Sequence, residues 1–492
     1  MSQELEELYN KVMERLGRIR PLDEEAMDAA RERERSLAKV PGSLGRLEDI
    51  AVQIAGITGR PQGNPLKKQA VLLMSADHGV AAEGVASAPQ TVTTSQTVNF
   101  TRRITGIGSL AKYFDINLLV TDLGMRIPAP PEYYTDQMLT DDGKISRKIV
   151  NRRLAAGTKD LLKEPAMSEE QVLRAVLAGM EAADAAVSAG IQLLGVGEMG
   201  IGNTTPSSAL LCCLTGIPAE KLVGRGGGLN DEGLKRKVQV VRDSVERCMA
   251  EAGHGLQDFL SQVKGKTVKT PISELPAGAA DTFTAGAATA NGRENRSVRM
   301  DTAEAEIPEN GSAAKNGSES RTGSANEQAD LAGDCGQADS SQFLEFRADA
   351  GLELLRQLGG FEIAAMAGAY LSAAAHRIPT VVDGFISAAA ALAACEIVPE
   401  TADYLFASHC STEPGYLAAV SAMGLHPSLD LQMRLGEGSG CPLMFKIMEA
   451  ACATMDLMGT LKEGQIDSGY LDKMTKHDYT GGADSQKNSQ RS

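Results

Sequence analysis

Tryptophan is absent from the 492 residues, and aromatic side chains of every kind make up only 4% of them. That scarcity excludes the stacking platforms on which single-strand-binding proteins rely. A basic stripe is missing too, since 49 Lys and Arg face 64 Asp and Glu for a net charge of -15. Nucleic-acid binding leans on clustered cations, so small molecules and no nucleic acid are the expected partners. Long apolar runs are lacking as well. The most apolar region, 361–395, is broken by His376, Arg377, Pro379 and Asp383, whereas a membrane helix needs about 20 apolar residues in succession. The N-terminus, MSQELEELYNKVMERL, is charged and has no secretory apolar stretch. The chain therefore reads as cytoplasmic, with no membrane partner.

Several chemical signatures are also missing. The eight cysteines (Cys212, Cys213, Cys248, Cys335, Cys395, Cys410, Cys441, Cys452) show no C-x-x-C spacing, and most sit in Ala/Leu-rich runs. Core packing in a reducing compartment accounts for them. His78 and His409 follow apolar runs and are placed to line a cleft, but no H-x-x-H, H-E-x-x-H or carboxylate-histidine spacing accompanies them. They read as structural histidines, and neither a metal nor a cofactor is expected. A G-x-S-x-G elbow and a P-loop are both absent.

What is present divides the chain. The stretch 270–341 consists mainly of Ala, Gly, Ser, Asn, Asp and Glu with almost no large apolar residue. Such a segment does not offset its own ordering entropy, so it is expected to be a disordered surface insert with no catalytic part. Setting it and the polar tail 463–492 aside leaves a folded part of roughly 390 residues, enough for one large and one small domain. Ala70–Met74, Asn117–Val120, Ile191–Val196 and Thr380–Val382 are short apolar runs that end in Gly or Asp. They read as buried parallel strands. Helical stretches at 169–189, 206–214, 360–375 and 387–394 alternate with them, which indicates an α/β fold with a Rossmann-like parallel sheet flanked by helices. This large domain is assigned to 61–269 and 342–440. The helical segments 1–60 and 441–462 are expected to pair as a small helical domain. Ligands of such sheets bind beyond the carboxyl ends of the strands, so all four polar strand ends, including Asp77, Asp122 and Asp383, are expected to line one cleft.

Three glycine-rich segments carry the chemistry. Gly195-Val-Gly-Glu-Met-Gly200 matches the dinucleotide pattern G-x-G-x-x-G, but Ile201 to Pro206 postpone the helix, and Glu198 would oppose a pyrophosphate. The segment reads better as a monophosphate cradle in which Gly200, Gly202, Asn203 and Thr204 offer backbone donors at a helix start. Gly224-Arg-Gly-Gly-Gly228, before Lys235-Arg-Lys237, is a second such cluster. In Met433-Arg-Leu-Gly-Glu-Gly-Ser-Gly440, glycines on both sides leave Glu437 uncovered. A glutamate against apolar walls suits a general base, and a loop acid favoured by a helix dipole is the alternative.

Five segments, Lys39-Val-Pro-Gly-Ser-Leu-Gly-Arg-Leu-Glu48, Ala76-Asp-His-Gly-Val80, Gly195–Pro206, Val382-Asp-Gly-Phe385 and Met433–Gly440, occur in an order that resembles the nicotinate-nucleotide:dimethylbenzimidazole phosphoribosyltransferase family. The resemblance covers nearly all of the folded chain. It implies transfer of the phosphoribosyl group of nicotinate mononucleotide to 5,6-dimethylbenzimidazole, giving α-ribazole 5′-phosphate and nicotinate for the cobalamin lower ligand. It further implies that Glu437 is the catalytic base, that Glu198 is a second acid, and that Gln96, Met199 and Leu435 hold the benzimidazole. Gly200, Gly226, Gly227, Gly228, Lys237 and Ser411 would sit near the nucleotide phosphate or ribose, where Asp383 is also placed. Where relatives carry a serine in the base pocket, this chain has Ala88, with Ser87 before it. A homodimer is implied as well. A nicotinamide-dependent oxidoreductase and a catalytically silent benzimidazole or nucleotide binder stand as alternative readings.

Overall fold

The computed structural model describes residues 2–264 and 340–467. The expected insert, except for its last two positions, and most of the polar tail lie outside the described residues. Seven strands form one sheet: β1 (Gln69–Ala76), β2 (Asn117–Gly124), β3 (Tyr134–Thr135), β4 (Ile149–Asn151), β5 (Leu193–Met199), β6 (Thr380–Val382) and β7 (Leu405–Ala407). Their spatial order is β3-β4-β2-β1-β5-β6-β7, and all neighbours run parallel. All eight residues of β1 are buried, because helices cover both faces of a parallel sheet. The α/β expectation is met, and the four strands read from the sequence coincide with β1, β2, β5 and β6. The chain builds outward from β1 on one flank, then returns to lay β5 on the other. The crevice between β1 and β5 is thus the topological switch point at which ligands of open α/β sheets bind.

The flanking helices have local causes. Ser168 and Gln171 form a reciprocal capping box at the start of Glu169–Ser188. Phe361–Ala375 crosses that helix with backbone touching backbone. A Cβ on Gly179 would fall 1.7 Å from the Ala365 carbonyl oxygen, and one on Gly368 would fall 2.0 Å from that of Val176. Only glycine permits that approach.

Helices Glu24–Ser36, Arg46–Thr58 and Cys441–Leu457 pack together. The chain ends are stitched by Ala38 N–H to Gly459 O at 2.8 Å and Leu461 N–H to Ser36 O at 2.9 Å. Within the 39–48 segment, the Lys39 ammonium lies 2.8 Å from Glu34 and 2.9 Å from Glu48, and Glu48 also accepts the Gly42 and Leu44 amides. The first helix, Gln3–Leu16, lies instead against Glu169–Ser188, since Leu8, Val12 and Leu16 recur every four residues on one apolar face. No helix among the described residues is long and apolar enough to cross a membrane.

Candidate active site

Strand β5 ends in Glu198-Met199, and the turn Gly200–Asn203 leads into the helix Thr204–Thr215. The first two glycines of the G-x-G-x-x-G pattern lie inside the strand. A Cβ on Gly195 would meet Cys441 Cβ at 2.6 Å, and one on Gly197 would meet the Gly438 nitrogen at 2.5 Å. These glycines therefore let the 436–440 loop rest directly on β5, which is not how a dinucleotide fold uses them.

The loop holds Gly436, Glu437 and Gly438 in the left-handed region, with φ of 78°, 63° and 75°. For glutamate that conformation costs about 1–3 kcal/mol and persists only where the surroundings impose it. Asp383, at the end of β6, supplies the constraint: its two carboxylate oxygens accept Gly438 N–H at 2.8 Å and Gly440 N–H at 2.6 Å. Glu198 accepts the Glu437 N–H as well. The Glu437 side chain is thereby turned into the cleft, buried to 6% exposure. Gln96 donates to Glu437 Oε1 at 2.7 Å, while Oε2 is buried without a hydrogen-bond partner. Burial raises the proton affinity of Glu437 despite the Gln96 bond. Glu198, which accepts from the Asn203 amide, is pushed up to about 8 by burial and by the nearby Glu362.

At the other end of the cleft, the fully buried Lys237 ammonium donates to Thr204 Oγ1 at 2.7 Å and to Gly224 O at 3.0 Å. Burial pulls its pKa down to about 8. It thus ties the start of the Thr204–Thr215 helix to the glycine turn 224–228, and Thr204, Gly226 and Gly227 line the same cleft. That geometry suits a monophosphate.

The cleft between these ends has a volume of about 250 Å³ and is lined by Ala88, Glu198, Met199, Gly200, Gly202, Asn203, Thr204, Gly226, Gly227, Ser411, Leu435 and Glu437. Gln96 joins them through Glu437. Three expected residues stand elsewhere. Gly228 continues the turn outside the lining, Lys237 acts from beneath it, and Asp383 spends both oxygens on the loop amides instead of facing a nucleotide. Of the four polar strand ends expected to line the cleft, those of β5 and β6 do so through Glu198 and Gly384, and those of β1 and β2 do not. Asp77 is taken by Thr93 and the Arg126 amide, and Asp122 by Tyr134, Arg153 and the Gly124 and Met125 amides. A strand-end carboxylate that finds backbone amides and side-chain donors beside it is satisfied there and turns away from the cleft. His78 is fully buried against Glu362 at 2.6 Å. His409 stacks on Tyr416, and burial pulls its pKa down to about 4. Among the described residues, no cysteine forms a disulfide, and no group of three His, Cys, Asp or Glu side chains is arranged to hold a metal ion.

Sequence reasoning missed Glu413, which lines the cleft beside Ser411 and Arg434, and Glu362, which underlies Glu198. A lone acid inside the apolar run Phe361–Ala375 was the available signal for Glu362. Glu413 left none.

Comparison with known proteins agrees with this geometry. A family model described as phosphoribosyltransferase matches residues 19–272 and 337–466, leaving between them most of the low-complexity segment. Nicotinate-nucleotide–dimethylbenzimidazole phosphoribosyltransferase from Clostridium perfringens is 34% identical over 92% of this chain and 95% of its own length. The enzyme of that name from Clostridium tetani is 34% identical over 93% and 96%. A crystal structure of nicotinate-nucleotide–dimethylbenzimidazole phosphoribosyltransferase from Thermus thermophilus superposes with a TM-score of 0.64 at 30% identity, covering 91% of this chain and 99% of that one. The chain belongs to the nicotinate-nucleotide–dimethylbenzimidazole phosphoribosyltransferase family.

Proposed function

We propose that this cleft transfers the phosphoribosyl group of nicotinate mononucleotide to 5,6-dimethylbenzimidazole, with Glu437 as general base. The observation that carries the reading is a single cleft lined both by Glu437, which keeps a buried carboxylate oxygen without a partner, and by Thr204, Gly226 and Gly227, whose segments Lys237 ties together from beneath. The nucleotide's phosphate would rest on the side that Lys237 ties together, with Gly200, Gly202, Asn203, Thr204, Gly226, Gly227 and Ser411 around it and the ribose. The base would lie against Ala88, Met199, Leu435 and Gln96.

The chemistry fits these groups. The ring nitrogen of nicotinate mononucleotide is a pyridinium, so cleavage of the glycosidic bond releases a pyridine and needs neither a proton nor neutralisation of a pyrophosphate. The attacking azole nitrogen bonds to ribose C1′, and the proton on the other ring nitrogen becomes acidic as that bond forms. Glu437 Oε2 accepts it. Holding the base on the face opposite the departing nicotinate makes the encounter an oriented one and inverts the sugar carbon. The phosphate end supplies remote binding energy for that alignment. Protonated Glu198, beneath the Glu437 amide, would avoid a second negative charge beside the base.

The test is incubation of the purified protein with both substrates and excess chelator, followed by mass spectrometry for α-ribazole 5′-phosphate and free nicotinate. Binding of both substrates without product would favour a silent binder. A homodimer forms part of the same proposal, supported by the exposed apolar residues Ile104, Tyr113 and Leu435; light scattering at the mass of one chain would remove it.

A further inference from the structure

The phosphate end of the cleft contains a negative charge of its own. Glu413 lies two residues beyond Ser411 and lines the cleft with Gly226 and Arg434. Its carboxyl packs against Gly224, where a Cβ would fall 2.0 Å from Oε2. It accepts the Gly226 N–H, and the cations acting on it are Lys237 and Arg434. Arg225, from the same turn, is engaged by Asp231 and by the Leu229 carbonyl oxygen. The groups that hold Glu413 are therefore the ones an incoming phosphate would use. Glu413 Oε2 is buried and lacks any hydrogen-bond partner.

A phosphate monoester carries a charge of about −1.5 to −2 at neutral pH. An ionised carboxylate among the same donors opposes its entry, because like charges in a partly buried site cannot both stay ionised without cost. A carboxylic acid in that place does the reverse, since its O–H donates to a phosphate oxygen. We propose that Glu413 is the built-in counter-anion of the phosphate cradle, and that it takes up one proton as the nucleotide's phosphate enters and donates the resulting O–H to it. The proton comes from solvent, and no substrate bond is broken. Burial already raises the proton affinity of this carboxyl against the opposing pull of Lys237 and Arg434. The inference rests on reading the cleft as a nucleotide site.

Linkage gives the readout. Uptake of one proton makes the Kd for nicotinate mononucleotide rise about tenfold per pH unit wherever free Glu413 is ionised. Lys237 and Glu198, both at about 8, and Asp383, at about 7, titrate in the same range, so the measurement is made between about pH 6.5 and 7.5 and the proton uptake is read as the difference between the mononucleotide and its phosphate-free riboside. Calorimetric titration of the full chain with nicotinate mononucleotide, in buffers of differing ionisation enthalpy, should show uptake approaching one proton per site. Nicotinate riboside, which lacks the phosphate, should show none, and Glu413→Gln should abolish both the uptake and the pH slope. The proposal is overturned if the mononucleotide binds and turns over with no uptake, or if uptake survives in Glu413→Gln. Equal uptake with the riboside also overturns it and would place Glu413 on the sugar. The two wild-type titrations decide the matter even if the variant fails to fold, and a chain that neither binds nor turns over the mononucleotide removes the underlying reading instead.

Discussion

Replacing Glu437 with Gln tests the proposed mechanism at the single atom on which it depends. The side chain keeps its length, and its amide oxygen still accepts the Gln96 bond now made at 2.7 Å. The NH₂ group then occupies the place of Oε2 and presents a donor where the azole N–H needs an acceptor. Loss of a general base costs about 10²–10⁴ in turnover, equivalent to about 3–5 kcal/mol of barrier. The fold should not suffer. Burial raises the proton affinity of Glu437 above its unfolded value, so ionising it in the folded state costs stability. That contribution is largest below the unfolded pKa and is lost as pH rises through the folded one. A neutral amide escapes the loss, and the thermal midpoint at neutral pH should equal or exceed that of the wild type. The assay is the initial rate of α-ribazole 5′-phosphate formation by chromatography, with saturating substrates and matched thermal melts. Turnover within about threefold of wild type, in a variant that melts normally, would refute the base assignment.

Lys237→Ala removes the buried positive charge that ties Thr204 to Gly224 beneath the proposed phosphate site, and the KM for nicotinate mononucleotide should rise roughly tenfold, about 1.4 kcal/mol; an unchanged KM would detach Lys237 from that site. Because burial pulls the ammonium's pKa down to about 8 and only its charged form attracts a phosphate across the Thr204 and Gly224 contacts, wild-type KM should climb further above that pH, and Lys237→Arg should suppress the climb. Asp383→Asn leaves one of the Gly438 and Gly440 amides facing a donor, at a cost of about 1–3 kcal/mol. Its kcat should fall while nucleotide Kd stays within about threefold, and a fall in affinity alone would mean that Asp383 faces the nucleotide after all. Gly438→Ala places a Cβ 2.8 Å from Val71 Cγ1 at a φ of 75° and should lower the thermal midpoint by roughly 2–8 °C, which differential scanning calorimetry will show or deny.

The sheet was legible where its strands were long and wholly buried, because a strand covered on both faces must be apolar throughout and can turn polar only where it leaves the sheet. Strands β3, β4 and β7, of two or three residues, escaped notice, whereas the equally short β6 was legible because Asp383-Gly384 ends its apolar run. The apolar runs located the cleft at the carboxyl ends of the strands, although the strand order that makes β1 and β5 the switch point came only with the fold, and glycines on either side of Glu437 announced an uncovered carboxylate before any contact was known. The first helix joined the sheet's flanking layer although it is contiguous with the small helical group, since apolar spacing identifies a buried face without naming what it faces.

Residue type and spacing by themselves determined the α/β class, the cleft end of the strands, Glu437, the glycine turns and the family resemblance, because each of these is written in local backbone requirements. Tertiary structure alone decided which carboxylates are free. Asp77, Asp122 and Asp383 at their strand ends are engaged by neighbouring amides and side-chain donors from distant segments, whereas Glu437 keeps one oxygen without a hydrogen-bond partner. Glu413 reaches the glycine turn 224–228 only because β7 lies two strands from β5 and its following loop comes against Gly224. A carboxylate's role depends on the donors within hydrogen-bond reach, and that distance is a property of the fold, not of the residue.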